Sequence, residues 1–122
     1  MQEKLFPSEI KVMEIIWDNG EITAKEIAAE MAKTAGWSKT TTYTVIKKCL
    51  EKGAVVRKDP GFLCVAAISR EKVQAFETQE LIDRLFGGAP DMLVSALINS
   101  GKISGEQLNA LRNAIEKAAE KE

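Results

Sequence analysis

Residues 37 to 53 constrain the fold more than any other stretch, because they combine a helix start, a helix end and a regular inward pattern. The Ser38 hydroxyl can accept a hydrogen bond from a free amide of the first turn, as N-cap residues do. Gly53 can end the helix in the left-handed conformation that glycine adopts readily. Five residues recur at helical spacing and predict the buried side of this helix: Thr42, Val45, Ile46, Cys49 and Leu50.

The opposite side of this helix carries hydroxyl and ammonium groups. Such groups suit the phosphate oxygens and base edges of DNA. The solvated surface of an ordinary helix has a similar composition, so this pattern alone leaves both interpretations open. The outward residues that we predict to bind DNA are Lys39, Thr40, Thr41, Tyr43, Thr44, Lys47 and Lys48.

Two further helices are predicted before this one. Ser8 is the predicted cap of the first. Thr23 and Glu26 have the spacing of a capping box and predict a second helix over residues 23 to 33. A short turn then leads into the helix after Ser38. Two capped helices joined by a short turn are typical of a helix-turn-helix, whose second helix enters the major groove of DNA.

Two short extended segments follow. Residues 54 to 58 and 62 to 66 favour β-structure, and Asp59-Pro60-Gly61 between them is a turn signal. The sequence therefore predicts a β-hairpin, or wing, after the recognition helix. We expect Arg57 and Lys58, beside its tip, to meet the phosphate backbone. A hairpin that only covers the core is the alternative.

Positive charge is concentrated around the recognition helix and the wing. The formal net charge of the chain is −1, but residues 33 to 58 contain seven cations and a single anion, Glu51. Charges act locally at physiological salt, so an acidic protein with one basic element can still contact phosphates. A winged-helix adaptor that docks proteins without touching DNA is the alternative function, since fold does not determine function. Such an adaptor has no reason to concentrate cations there.

The sequence contains no recognisable catalytic constellation. There is no histidine, the commonest general base and transition-metal ligand. We find no glycine-rich phosphate loop and no nucleophile elbow. We therefore predict no enzyme activity, no metal and no cofactor. Cys49 and Cys64, which lack CxxC spacing, are expected to be buried thiols.

The C-terminal part of the chain predicts three more helices, the first capped by Ser69 and the last by Ser104. The middle one is apolar nearly all round, so we expect it to be buried on more than one side. Three amphipathic helices of about 50 residues make a thin core if left alone. Packing against a second copy would solve this, and a two-fold dimer would read a palindrome. A monomer with these helices folded back on the first unit is the alternative. The predicted dimerisation residues are Phe76, Leu81, Leu85, Phe86, Leu93, Leu97, Leu108, Leu111 and Ile115.

The fold class predicted from these elements is mainly α with a small β-hairpin. A winged helix-turn-helix DNA-binding domain is expected over residues 1–68, followed by a C-terminal helical dimerisation region over residues 69–122. No run of 18 apolar residues occurs, and the N-terminus has no long apolar segment. We therefore expect no membrane insertion and a cytoplasmic location.

The pattern as a whole resembles the penicillinase-repressor family of bacterial transcriptional regulators, the BlaI/MecI type. The matching features are Glu9 through Met13, Ile16-Trp17, Thr23-Ala24, Glu26-Ile27, Trp37-Ser38, Thr41, Val45, Ile46, Lys52-Gly53, Leu85 through Gly88, Leu93-Val94, Ser104, Leu108, Leu111-Arg112 and Ile115. The resemblance implies a homodimeric repressor that binds an operator dyad and controls genes for β-lactam resistance or cell-envelope stress. It also implies release by a membrane sensor protease or its downstream protease.

Two positions depart from the family pattern. The family's repressors are cut between Asn and Phe in the fifth helix, where this chain has Ala96 and Leu97. This difference predicts another cut or another trigger. In the wing, Phe62 follows the glycine where the family often has a basic residue.

Overall fold

The computed structural model describes residues 4 to 121, which contain six helices and three short strands. The predicted fold class, mainly helical with a small β element, is confirmed. In chain order the elements are α1 (Pro7–Asn19), β1 (Glu21–Thr23), α2 (Ala24–Ala35), α3 (Lys39–Glu51), β2 (Val55–Lys58), β3 (Leu63–Ala66), α4 (Arg70–Leu85), α5 (Pro90–Asn99) and α6 (Gly105–Ala119).

The sheet contains one strand more than the predicted hairpin. β2 and β3 pair antiparallel, with Arg57 opposite Cys64, and β1 pairs antiparallel with the other edge of β3, with Ile22 opposite Cys64. The strand order is therefore β1-β3-β2. β1 was not predicted because its three residues are too few to show an alternating pattern. The pairing of β1 with β3 joins the wing to the chain segment between α1 and α2.

The helix caps explain where the helices begin. The Ser38 hydroxyl accepts a hydrogen bond of 3.1 Å from the Thr41 amide at the start of α3, as predicted. The Thr23 hydroxyl likewise accepts a bond of 3.1 Å from the Glu26 amide. The predicted cap at Ser8 was wrong, because α1 already begins at Pro7. There the amide of Phe6 donates to the Glu9 carboxylate at 2.8 Å.

The core of the N-terminal unit is built from the inward sides of α1, α2 and α3 and from the sheet. Thr42, Val45, Ile46 and Cys49 are buried as predicted, and Leu50 is half-buried. Their partners in the core include Val12, Met13, Ile16, Ala24, Ile27, Met31, Val55, Cys64 and Val73. Burying one large aliphatic side chain stabilises a fold by about 1.5–3 kcal/mol. This packing fixes which side of α3 remains exposed.

The described residues fall into two compact units, one up to Gln74 and the other from Ala75. The division lies within α4, several residues after the predicted domain boundary at residue 68. In the second unit, α5 and α6 contain no buried residue within the single chain. The apolar composition of α5 predicts a buried helix, but one chain does not supply enough partners to cover it.

None of the helices between residues 4 and 121 combines the length and the apolar composition needed to cross a membrane.

Candidate nucleic-acid interface

The recognition helix α3 is held in place from its buried side. Thr42 is completely buried, and its hydroxyl donates to the Ser38 carbonyl at 3.2 Å. Ile46 and Cys49 continue this buried side one and two turns later. The side chains on the opposite side of α3 are therefore displayed to solvent in a fixed orientation.

The exposed side of α3 forms a shallow, open depression of about 520 Å³. Its lining combines two ammonium groups with hydroxyl groups between them. Ammonium groups contact phosphates, and threonine hydroxyls and methyls contact base edges and thymine methyls. We call this the reading surface, and its residues are Lys39, Thr40, Tyr43, Thr44 and Lys47.

The threonines of this helix differ in how far their hydroxyls are already used. The Thr41 hydroxyl accepts a hydrogen bond of 2.9 Å from Ser38, so it takes part in the cap. The Thr44 hydroxyl donates to the Thr40 carbonyl at 2.9 Å. A hydroxyl that donates along the helix keeps oxygen lone pairs as acceptors. Thr44 is therefore suited to accept a bond from a base amino group, as well as to contact a methyl.

Tyr43 is half-buried and contacts the wing. Its ring meets Phe62 edge to face, with 5.9 Å between the ring centroids and an interplanar angle of 81°. The Lys39 ammonium lies 5.8 Å from the Tyr43 ring centroid. Tyr43 therefore joins the reading surface to the hairpin.

The two predicted cations of the wing have different surroundings. Arg57 Nε lies 3.1 Å from both carboxylate oxygens of Asp59, and Arg57 Cζ lies 3.7 Å from the centroid of the Phe62 ring. The Arg57 side chain is still 46% exposed. Lys58 is exposed, and since successive strand residues alternate, its side chain belongs to the other side of β2.

One cation of the basic stretch is directed inward. Lys52 Nζ lies 2.6 Å from Glu9 Oε1 and donates to the Lys4 carbonyl at 2.7 Å. It also lies 4.0 Å from the centroid of the Phe6 ring. Glu9 is completely buried, and its second oxygen, Oε2, has no hydrogen-bond partner within residues 4 to 121. Lys52 therefore ties the end of α3 to the start of α1 and is not available to a phosphate.

The buried thiols are protected from ionisation. Burial is the main reason that the pKa of Cys49 is raised to about 12, and the negative charge of Glu9 adds to it. Burial also raises the pKa of Cys64. Both cysteines are free and buried, as predicted. Since the thiolate is the reactive form, Cys49 has the environment of an inert core residue.

Comparison with known proteins places this winged helix in a family. The family model described as penicillinase repressor matches residues 5–117. The chain belongs to the penicillinase repressor family. This family consists of transcriptional repressors and not of enzymes, so the predicted family, repressor function and absence of enzyme activity are confirmed.

Several relatives match this repressor over most of their length. The penicillinase repressor of Bacillus licheniformis is 26% identical over 111 residues, covering 89% of this chain and 87% of that protein. The methicillin resistance regulatory protein MecI of Staphylococcus aureus strain N315 is 25% identical over 112 residues, covering 90% of this chain and 91% of that protein. The penicillinase repressor of Staphylococcus aureus is 22% identical over 122 residues, covering 98% of this chain and 97% of that protein.

Two solved structures are similar to the N-terminal part of the repressor. The DNA-binding domain of the repressor BlaI shares 28% sequence identity at a TM-score of 0.53, covering 57% of this chain and 90% of that one. The monomeric form of Bacillus licheniformis BlaI was solved in complex with the blaP half-operator. It shares 28% sequence identity at a TM-score of 0.52, covering 58% of this chain and 92% of that one. The predicted winged-helix fold is thereby confirmed.

The structure adds residues that the sequence prediction of the site did not include. Asp59 and Phe62 both contact Arg57, and Phe62 also contacts Tyr43. Arg57 and Asp59 are only two positions apart at the end of β2, so the sequence already showed that they lie close together. Nothing in the sequence pairs Glu9 with Lys52, which lie 43 positions apart.

Proposed function

We propose that this repressor binds double-stranded DNA through the reading surface of α3, which enters the major groove, with the wing against the phosphate backbone. The observation that carries the proposal is the composition of that surface, with Lys39 and Lys47 at its ends and Thr40 and Thr44 between them. The similar BlaI structure was solved in complex with a half-operator, which supports DNA binding by this domain. The cations would release counterions from DNA, which makes affinity fall with salt.

We further propose that the repressor acts as a homodimer on a two-fold operator dyad. The nine residues predicted to form the dimer are all incompletely buried in the single chain. Phe76, Leu85, Leu97, Leu108 and Ile115 are exposed, and Leu81, Phe86, Leu93 and Leu111 are half-buried. Exposed apolar side chains in such numbers favour an interface with a second copy. Sedimentation equilibrium would give twice the mass of the chain for a dimer and the mass of one chain if this part of the proposal is wrong.

The proposals for the regulated genes and the release mechanism rest on the resemblance to the penicillinase repressor family. Penicillinase and methicillin resistance stand in the names of those proteins. We therefore propose that the repressor acts in the cytoplasm on genes for β-lactam resistance or cell-envelope stress. Release by a membrane sensor protease or its downstream protease is the corresponding proposal. Ala96 and Leu97, which replace the family's Asn and Phe, are exposed on α5, so we expect a protease of different sequence preference.

Selection from a random-sequence duplex pool at two salt concentrations tests the DNA-binding proposal. Enrichment of a two-fold dyad, with binding that weakens steeply at the higher salt, is the expected result. The selected sequence would also locate the regulated genes. Failure to retain any duplex at low salt would refute the proposal and favour the protein-docking alternative.

A further inference from the structure

Phe62 occupies a backbone conformation that its side chain does not favour. Its φ angle is +52°, in the left-handed region. Among residues 4 to 121 it is the only residue other than glycine with a positive φ. A bulky side chain rarely adopts this region, whereas glycine and asparagine do so with less strain. The turn itself therefore gives no reason for an aromatic residue here. A strained residue of this kind points to a role outside the turn.

The contacts of Phe62 reach three different elements. Its ring meets the Tyr43 ring of α3 edge to face, and its centroid lies 3.7 Å from Arg57 Cζ of β2. Its carbonyl accepts a hydrogen bond of 2.9 Å from the amide of Ala24, the first residue of α2. One residue thus joins both helices of the helix-turn-helix to the cation of the wing.

We propose that Phe62 is a positioning residue for DNA binding, whose ring fixes the wing against α3 and holds the Arg57 guanidinium ready for a phosphate beside the groove that α3 occupies. The inference rests on the proposed function. A guanidinium over an aromatic ring is attracted by the ring's negative face. An arginine that is already immobilised loses less conformational freedom when DNA arrives.

The geometry leaves Arg57 able to bind a phosphate while it is held. Arginine has five N–H donors, and the contact to Asp59 uses the one on Nε. The terminal Nη groups remain for an anion, and the side chain is 46% exposed. The wing cation is therefore oriented by an anion at one edge and by a ring on one face.

The test combines Phe62→Asn with Arg57→Ala and their double variant. The probes are the duplex that the wild type selects from a random pool and a scrambled duplex of equal length, measured by fluorescence anisotropy at one salt concentration. We expect Phe62→Asn to weaken binding to both duplexes by about tenfold, from the lost cation–π contact and the lost orientation. Arg57→Ala should then weaken binding by a smaller factor in the Phe62→Asn background than in the wild type.

Three controls separate positioning from folding. Phe62→Tyr keeps the aromatic ring and should retain most of the wild-type affinity for DNA. Phe62→Leu keeps apolar volume without the ring and should lose affinity as Phe62→Asn does, even if the asparagine variant is unstable. Val56→Thr, an exposed site on the other side of β2, should bind as the wild type does. Urea midpoints are measured for each variant.

The outcomes distinguish the inference from the function on which it rests. If the wild type binds a selected duplex, and Phe62→Leu and Phe62→Asn bind it as tightly as the wild type does, the inference alone is overturned. Equal factors of weakening by Arg57→Ala in both backgrounds also overturn the inference and leave the proposed function standing. A wild type that binds no duplex overturns the proposed function, and the inference falls with it.

Discussion

Replacing Lys52 by methionine would remove the cation from a buried ion pair and leave its anion behind. The Glu9 side chain is 1% exposed and that of Lys52 15%, and the two charged groups are 2.6 Å apart. Breaking a buried pair by removing one partner costs about 3–5 kcal/mol, because the remaining charge stays buried without compensation. Lys52 retains some exposure, so we expect Lys52→Met to lower the free energy of unfolding by about 3 kcal/mol.

Urea denaturation followed by circular dichroism measures this effect, at one fixed protomer concentration because oligomerisation contributes to stability. For a unit of this size the loss corresponds to roughly 12–24 °C in melting temperature. Lys48→Met is the matched control, since Lys48 is exposed on α3, four residues before Lys52, and should change stability by less than about 0.5 kcal/mol.

A second substitution tests the cause of the loss. Glu9→Gln in the Lys52→Met background should recover most of the stability, because a neutral amide needs no cation and its oxygen can still accept from the Phe6 amide. A cost of less than about 1 kcal/mol for Lys52→Met alone, the range of an exposed pair, would refute the assignment of a buried charge pair.

Four further predictions concern DNA binding and the core. Lys47→Ala should weaken binding to every duplex and flatten the dependence of log affinity on log salt by about 1, and an unchanged slope would remove Lys47 from the phosphate contacts. Thr44→Ala should cost about 1–3 kcal/mol on the selected duplex but little on a scrambled one, whereas equal losses would count against base reading. Asp59→Asn removes the negative charge beside Arg57 but keeps an oxygen that can accept from Arg57 Nε, so it should tighten binding to any duplex in titrations at low salt, while unchanged affinity would mean that the carboxylate does not oppose phosphate. Because burial raises the pKa of Cys49 from its ordinary value of 9.0 to about 12, its neutral form stabilises the fold fully below pH 9, and this contribution is lost as the pH rises toward 12. The free energy of unfolding of the wild type, measured by urea denaturation, should therefore fall relative to that of Cys49→Ala in that window, by up to about 1.4 kcal/mol per pH unit, and parallel free energies would contradict the effect of burial.

Local signals in the sequence predicted the helix-turn-helix and its exposed side. Ser38 and Thr23 mark helix starts that depend on a few neighbouring residues, and the buried side of α3 follows from helical periodicity alone. The caps and the buried stripe are therefore local properties that a sequence can reveal.

Contacts between distant residues could not be predicted in this way. The pairing of β1 with β3, the Glu9–Lys52 ion pair and the position of Phe62 between Tyr43 and Arg57 all depend on the assembled fold. The cation pattern also overstated the basic surface, because charge counts do not show that Lys52 points inward. At the cap of α1, the preference of serine for N-caps was outweighed by Glu9, which accepts the Phe6 amide.

The most direct test of the proposed DNA interface is a titration of ¹⁵N-labelled protein with the selected duplex, followed by amide chemical shifts. We predict that the largest changes fall on residues 39 to 48 of α3 and on residues 57 to 62 of the wing. Changes concentrated instead on the surface of α1 and α2 around Asp18 and Glu30, with α3 unaffected, would contradict the proposed interface.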